Sequence, residues 1–408
     1  HVLNRCLAAK TRCCPLYRVF RVGTVGVIIF GLVMTPVQAQ EYRVNVTPLT
    51  GRTGDWRTLH LFTGQTVTLY GEINTMVLRY DDGAVSKTYA PVDNSNKTSR
   101  MGFKWAIRNF GAWSPLARVE IGLAARKSSE VNLLDPGSTQ WSVKDGDLRK
   151  LELVLKHPRF GVFSVGQGSM ATHGISELDL SGTKVAAMSD AAQITASQLL
   201  RFSDGTLSGL EVGEFIDNFN EPNVTGSYSD GNRKVRIRYD SPDYKGLAFS
   251  VAVGNEVLQD DGQRNADTAL TYAANTGDYK IATGLGYSWQ SDSRVVSGSA
   301  SVLHTPTGLN LTGALGSERD NGNFSYLKVG VLRSIWSAGQ SAVSLDFYRG
   351  NDIYTSGSQA TSYGLAFVQN FDGPDIQAYA LLRRYDFKQP GAQYENSLVV
   401  LTGISWKF

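Results

Sequence analysis

The chain of 408 residues carries 40 Lys and Arg against 37 Asp and Glu, with 42 Gly, 18 Tyr and a mean hydropathy of −0.19. No long greasy segment dominates, which excludes a helical membrane protein. Length alone does not choose between several soluble domains and one large all-β unit.

Residues 1–39 form a compositional zone of their own. Arg5, Lys10, Arg12, Arg18 and Arg21 precede the apolar run "VGTVGVIIFGLVM", which ends in "TPVQAQ" with Val37 and Ala39 as small residues before a cut. Basic residues, a short apolar run and small residues in that order predict a cleaved secretory signal peptide, and Val22 to Met34 is too short to span a bilayer. All 3 cysteines (Cys6, Cys13 and Cys14) lie in this leader, so the exported chain keeps none and must gain its stability elsewhere. Without the leader, 35 Lys and Arg face 37 Asp and Glu, a net charge of about −2. The basic balance is thus a leader effect, and no nucleic-acid partner is expected.

A lead-in segment at 40–64 comes next, and from residue 65 to 408 the chain breaks into sixteen alternating segments of roughly ten residues. They fall near 66–80, 98–109, 114–128, 150–157, 160–168, 232–240, 246–255, 267–275, 278–290, 294–304, 309–317, 324–335, 340–350, 360–370, 375–387 and 396–408. Connections after even-numbered segments are tight turns such as "FGAW", "NTGD" and "TPTG". Nearly all long connections follow odd-numbered ones: 81–97, 129–149, 169–231, 351–359 and 388–395. That sorting by end predicts an all-β, 16-stranded antiparallel transmembrane barrel in the outer membrane, with short periplasmic turns and longer outer loops.

Period-two alternation assigns the two faces of each strand. In "TSRMGFKWAIR", Met101, Phe103, Trp105 and Ile107 face lipid, which leaves Arg100, Lys104 and Arg108 inside. In "PLARVEIGLAAR", Arg118 and Glu120 face in. In "RKVRIRYD", Lys234, Arg236 and Arg238 form an inward basic ladder. So much charge requires a wet interior. The connection at 169–231, between strands 5 and 6, is far longer than ordinary loops. It carries Glu177, Asp179, Asp190 and Asp204, and "SDAAQITASQLLRF" predicts a short helix. Folded inward, it would narrow the pore and set these candidate constriction acids against the ladder. At the carboxyl end, "NSLVVLTGISWKF" continues one apolar face to Trp406 and Phe408, which predicts a closing strand anchored in the interfacial aromatic belt.

The stretches "LYGEINTMVLRYDDG", "DNSNKTSRMGFK", "VRIRYDSPDYKGLAFSVAVG", "SVLHTPTGLNLTGALG", "YLKVGVLRSIWSAGQSAVSLDFYRG" and "ISWKF" resemble, in order and spacing, the general porins of Gram-negative bacteria, of alphaproteobacterial type. The resemblance covers most of residues 64–408. It implies a homotrimer of sixteen-stranded barrels in outer-membrane lipid, assembled by machinery that reads the C-terminal strand, and passive diffusion of ions and small hydrophilic solutes. It also implies a constriction loop whose carboxylates oppose lumen arginines, carried here onto Arg100, Arg118, Arg236 and Arg238. The Pro-Glu-Phe-Gly-Gly stretch of many such loops is absent, and "SELDLSGT" and "LEVGEFIDNF" stand in that region.

A substrate-selective channel is the runner-up. A sugar channel would want aromatic residues along the lumen, whereas most Tyr and Trp here fall on lipid faces or belts. A barrel-embedded enzyme needs a nucleophile with a base in reach, and His60, His157, His173 and His304 lie in no such motif. No cofactor or metal is expected. The Asp-Gly stretches "DDGQRNAD" and "SDGN" read as turns.

Overall fold

The computed structural model describes residues 57–61, 64–140, 147–219, 233–258, 264–290, 293–373 and 375–408. The predicted leader and most of the lead-in lie outside these residues. The rest forms one closed antiparallel barrel of 16 strands. The first half comprises β1 (Thr66–Asp81), β2 in two segments (Ser86–Asp93 and Arg100–Ala106), β3 (Ser114–Gly122), β4 (Leu148–His157), β5 (Gly161–Ser169), β6 (Arg233–Asp240), β7 (Leu247–Asn255) and β8 (Arg264–Thr276). The second half comprises β9 (Tyr279–Gln290), β10 (Ser293–His304), β11 (Leu309–Glu318), β12 (Asn323–Trp336), β13 (Gly339–Asn351), β14 (Gln359–Phe371), β15 (Ile376–Gln389) and β16 (Ser397–Lys407).

Neighbours in sequence pair along the wall, and β1 pairs with β16 from Glu72 opposite Lys407 to Asp81 opposite Leu398. Closure leaves no free sheet edge, which is the condition for strands to survive in hydrocarbon. Phe408 completes the seam by exchanging backbone hydrogen bonds of 2.9 and 3.1 Å with Gly71. Alternation sets the two faces: Ile73, Val77, Leu398, Val400, Ile404 and Trp406 are exposed to the outside, while Met76, Leu78, Val399 and Leu401 are buried inside.

Two predicted boundaries are corrected. The connection read at 81–97 is a tight turn followed by a further strand segment, because Asp82 accepts hydrogen bonds from the amides of Ala84 and Val85 and turns the chain at once. The segment read to residue 128 ends at Gly122, and Ser128 and Ser129 are instead held in a 3-10 turn by the Ser95 hydroxyl. The predicted helix in "SDAAQITASQLLRF" is also absent. Its residues form successive turns and a short strand, Leu199–Arg201, that pairs with Leu207–Glu211. Tertiary bonds win there over local propensity: Thr195 bonds the Tyr385 hydroxyl at 2.7 Å, and the Gln198 side chain donates to Val131 O at 2.7 Å.

The long connection after β5 folds into the barrel. From Met170 to Phe219 most of it is buried, and it packs against the inner wall of β8 to β16 and against β1.

Candidate functional site

The bed for this inward loop is built from small side chains. On β9, Gly284 and Gly286 stand where a Cβ would come within 3.1 Å of Ile175 and 2.8 Å of Thr172. On β10, the Ser299 hydroxyl accepts from Leu178 N and donates to Ile175 O, and Ser301 accepts from Leu180 N. Thr183 meets Ser344 of β13 at 2.7 Å, and Asp267 of β8 accepts from the amides of Ala171 and Thr172. The wall thus satisfies loop amides and carbonyls that would otherwise be left unpaired by burial. Further on, Val185, Ala186, Ala192, Ile194, Phe215 and Phe219 join the inward Tyr326, Tyr348, Leu381 and Tyr385 in one apolar cluster.

One cation fixes the crossing. Lys328 of β12 donates to Asp179 and to Ala187 O, each at 2.6 Å. The lysine holds Asp179 ionised against the effect of burial, below the ordinary carboxylate range. At the outer end Arg201 forms a forked pair with Asp82, at 3.1 and 2.8 Å. Behind the loop, Arg383 of β15 pairs with Asp346 and is 1% exposed.

The opposite sector, β2 to β6, carries the predicted basic residues, and its geometry sorts them into two groups. Side chains of Arg100, Arg118 and Arg238 are 24%, 27% and 22% exposed, whereas Lys234 and Arg236 are 6% and 3%. Lys104 is exposed, lies opposite Arg118 in the ladder, and stands 4.5 Å from the Tyr70 ring centre. Arg108 lies beyond the end of β2, which stops at Ala106.

The charged partners of Arg100, Arg118, Arg236 and Arg238 come from the wall, and that of Lys234 is Glu256, just past the end of β7. Arg100 pairs with Glu72 at 2.7 Å, Lys234 with Glu256 at 3.5 Å and Arg238 with Asp240 at 2.6 Å. Arg118 and Arg236 converge on the single carboxylate of Glu152. Arg236 lies flat across β5, donating also to Ser169 O and Gly166 O at 3.0 and 2.9 Å. Glycine clears its path: a Cβ on Gly168 would stand 2.8 Å from an Arg236 nitrogen, and one on Gly254 2.8 Å from its Cβ. Arg236 is therefore a brace within the wall, not a charge reaching into water.

The candidate acids also separate. Glu120 accepts from Arg149 at 2.7 Å and from the Tyr70 hydroxyl at 2.9 Å, within the wall. Glu177 pairs with Lys184 of the same loop at 3.1 Å, and both side chains keep some exposure. Asp179 is spent on Lys328. Asp190 accepts from Ala192 N and borders a small cavity with Asn96, Thr195, Arg383 and Tyr385. Asp204 sits exposed in a turn, where its carboxylate accepts from the amide and hydroxyl of Thr206. Sequence reasoning missed Lys328, Arg383, Arg149 and Glu152. The signal that could have located the loop bed was the run of small residues at alternate inward positions 284, 286, 297, 299 and 301.

His173, at the root of the loop, is kept well below its usual pKa by burial and then by Arg233 and Arg149, so it stays neutral. His157 and His304 lie among ring contacts at turns, with Trp113 and Tyr279. At the carboxyl end Trp406 and Phe408 lie 5.1 Å apart.

A closed barrel with an apolar exterior, partly exposed charges inside and a loop folded into its lumen defines an outer-membrane channel of the porin type. The chain belongs to the Gram-negative porin family, whose model matches residues 35–390. Among solved structures it is similar to an anion-selective porin from Comamonas acidovorans, at 16% identity over 84% of this chain and 100% of that one, with a TM-score of 0.57. It is also similar to OprB of Pseudomonas putida, at 11% identity over 84% and 94%, TM-score 0.54. OmpF of Salmonella typhi matches at 11% identity over 85% and 98%, TM-score 0.51. Direct comparison with curated sequences finds no match. The protein is a porin of the bacterial outer membrane.

Proposed function

We propose that solutes pass between the inward loop and the β2 to β6 wall, and that this passage favours small anions by passive, non-enzymatic diffusion. The observation that carries the reading is the sharing of Glu152 by Arg118 and Arg236, which leaves one positive charge unneutralised beside the part-exposed Arg118. Lys104 adds a second cation across the ladder from Arg118. On the loop side Glu177 and Lys184 cancel. The field at the passage is therefore net positive, and salt screens it with a Debye length of about 10 Å at 0.1 M.

The working unit is a homotrimer in outer-membrane lipid, exported by the 1–39 leader and inserted by assembly machinery that reads the strand ending in Trp406 and Phe408. Reversal potentials across planar bilayers test the selectivity. Arg118→Gln should shift the potential toward cations in low salt, while Glu152 keeps its Arg236 partner and the barrel stays folded. A folded Arg118→Gln variant with the native reversal potential would overturn the anion preference.

A further inference from the structure

The inward loop comes back to the outer mouth as a hairpin. Leu199–Arg201 pairs with Leu207–Glu211, and between them Asp204 accepts from the amide and hydroxyl of Thr206 while Gly205 takes a φ of 88°. Glycine adopts that left-handed conformation without steric cost. The first strand of the hairpin has a second neighbour. Beyond β15 the chain turns, and Ala392–Gln393 pairs back onto Lys388 and Gln389. The residues that follow run beside the loop: Glu395 N donates to Arg201 O at 2.8 Å, Ser203 N donates to Gln393 O at 3.0 Å, and Phe202 lies opposite Tyr394. The barrel sheet thus continues from β15 through the 392–395 turn into the loop hairpin.

Few groups hold this junction. Phe202 and Tyr394 stack at 4.9 Å, both keep some exposure, and the Gln389 side chain donates to the Tyr394 hydroxyl at 2.8 Å. Arg201 reaches Asp82 in the β1–β2 turn, and that turn also abuts the 392–395 segment, since a Cβ on Gly83 would stand 2.6 Å from Glu395 Cβ. Contacts between part-exposed groups at a rim open at lower cost than those of a packed interior. The hairpin is also joined firmly to the loop beneath it. Val212 N and Gly213 N donate to Gln198 O and Ala196 O at 2.9 and 2.8 Å, and ring contacts run from Phe202 through Tyr394 and Phe387 to Phe215.

We propose that the 392–395 turn is a latch that keeps the channel open. Engaged, it holds the 199–211 hairpin against the rim formed by β15, β16 and β1, to one side of the passage along the β2 to β6 wall. Released, the hairpin swings over that passage and interrupts the current, so an agent that takes hold of the 392–395 turn from outside controls conduction. The latch rests on the passage proposed above, and not on its preference for anions.

Single-channel recording of the full chain in planar bilayers tests it. Residues 40–408 contain no cysteine, so an introduced thiol pair reports without background from that stretch. Phe202→Cys combined with Tyr394→Cys places two thiols across the bridge. Oxidised, this variant should stay open; reduction in the same bilayer should raise its closed fraction about tenfold, and reoxidation should reverse the change. Arg201→Gln, which keeps the ring stack, should raise the closed fraction about threefold and covers the case in which the thiol pair fails to fold. Reversal potentials should remain native throughout, which separates the latch from the anion preference. Equal closed fractions in the oxidised and reduced channel, or a native closed fraction in folded Arg201→Gln, overturn the proposal. A folded thiol pair that does not cross-link denies the junction itself. Steady conduction at a higher level after reduction would make the hairpin a fixed obstruction, and an altered reversal potential with an unchanged closed fraction would make it a selectivity element; either refutes the latch.

Discussion

Lys328 of β12 reaches through the lumen-side packing to Asp179 of the inward loop at 2.6 Å, with the two side chains 0% and 4% exposed. This is the only charged tether between the loop and β12 among the described residues. Removing one member of a buried ion pair leaves the other uncompensated, at a cost of about 3 kcal/mol or more, whereas replacing both is better tolerated. Lys328→Met should loosen the loop seat, seen as larger current fluctuations and faster protease cleavage within 170–219. Lys328→Met combined with Asp179→Leu should recover most of the quiet channel. Equal noise in the single and double variants would show that the tether does not set the loop position.

Arg236 and Arg118 should behave differently although they share Glu152. Arg236 is braced by Ser169 O and Gly166 O as well as the carboxylate. Its replacement by Gln leaves buried Glu152 with Arg118 alone and takes the guanidinium donors from Ser169 O and Gly166 O, and should lower the temperature at which the barrel loses heat-modifiable migration. The effect should correspond to about 2 kcal/mol. Arg118→Gln should cost less stability and change selectivity more. Identical melting of the two variants would remove the distinction between brace and lumen charge.

Gly71 and Phe408 close the barrel together. A Cβ on Gly71 would stand 2.9 Å from Cε2 of the Phe408 ring and 2.7 Å from Arg100 O. Gly71→Ala should therefore reduce folded yield by overpacking, typically about 1–3 kcal/mol. Phe408→Ala should also reduce it, and the double variant should fall short of the sum because both act on one contact. Strict additivity in urea unfolding would argue that the ring does not rest on the glycine.

Asp190 gives the loop a pH response. Desolvation, followed by the negative charges of Asp217 and Glu177, pushes its carboxyl well above the ordinary 3.8. The neutral form is the one that the seated loop favours. Its contribution is full below the unfolded value and is lost as pH rises through the raised folded value. Loop protection from protease should therefore decline as pH rises from the acid side, and Asp190→Asn should flatten that dependence. A native profile already flat over this range would exclude Asp190 as its source.

What the sequence determined by itself was the wall. Period two is imposed by backbone geometry and by the difference between lipid and interior, so each strand reports its own two faces without reference to its neighbours. Arg383 and Arg384 were thereby separable by parity alone, one inward and one outward. Tight turns at one end and a terminal aromatic strand likewise gave strand number and closure, because unpaired edges are forbidden in hydrocarbon.

What only the tertiary structure decided was which inward charges still meet water. Lys234, Arg236 and Arg383 have the same local pattern as Arg100 and Arg118, yet burial depends on what packs around them: Arg236 lies against β5 and Glu152, whereas Arg383 lies beside the 170–219 loop. The path of that loop follows small wall residues far apart in sequence. The loop lacks a repeating face, and its turns are fixed by partners such as Tyr385, Ser344 and Lys328 rather than by local propensity. The pairing of Arg118 and Arg236 through Glu152 was hidden for the same reason: three strands meet at one carboxylate, and no single strand records its neighbours' register.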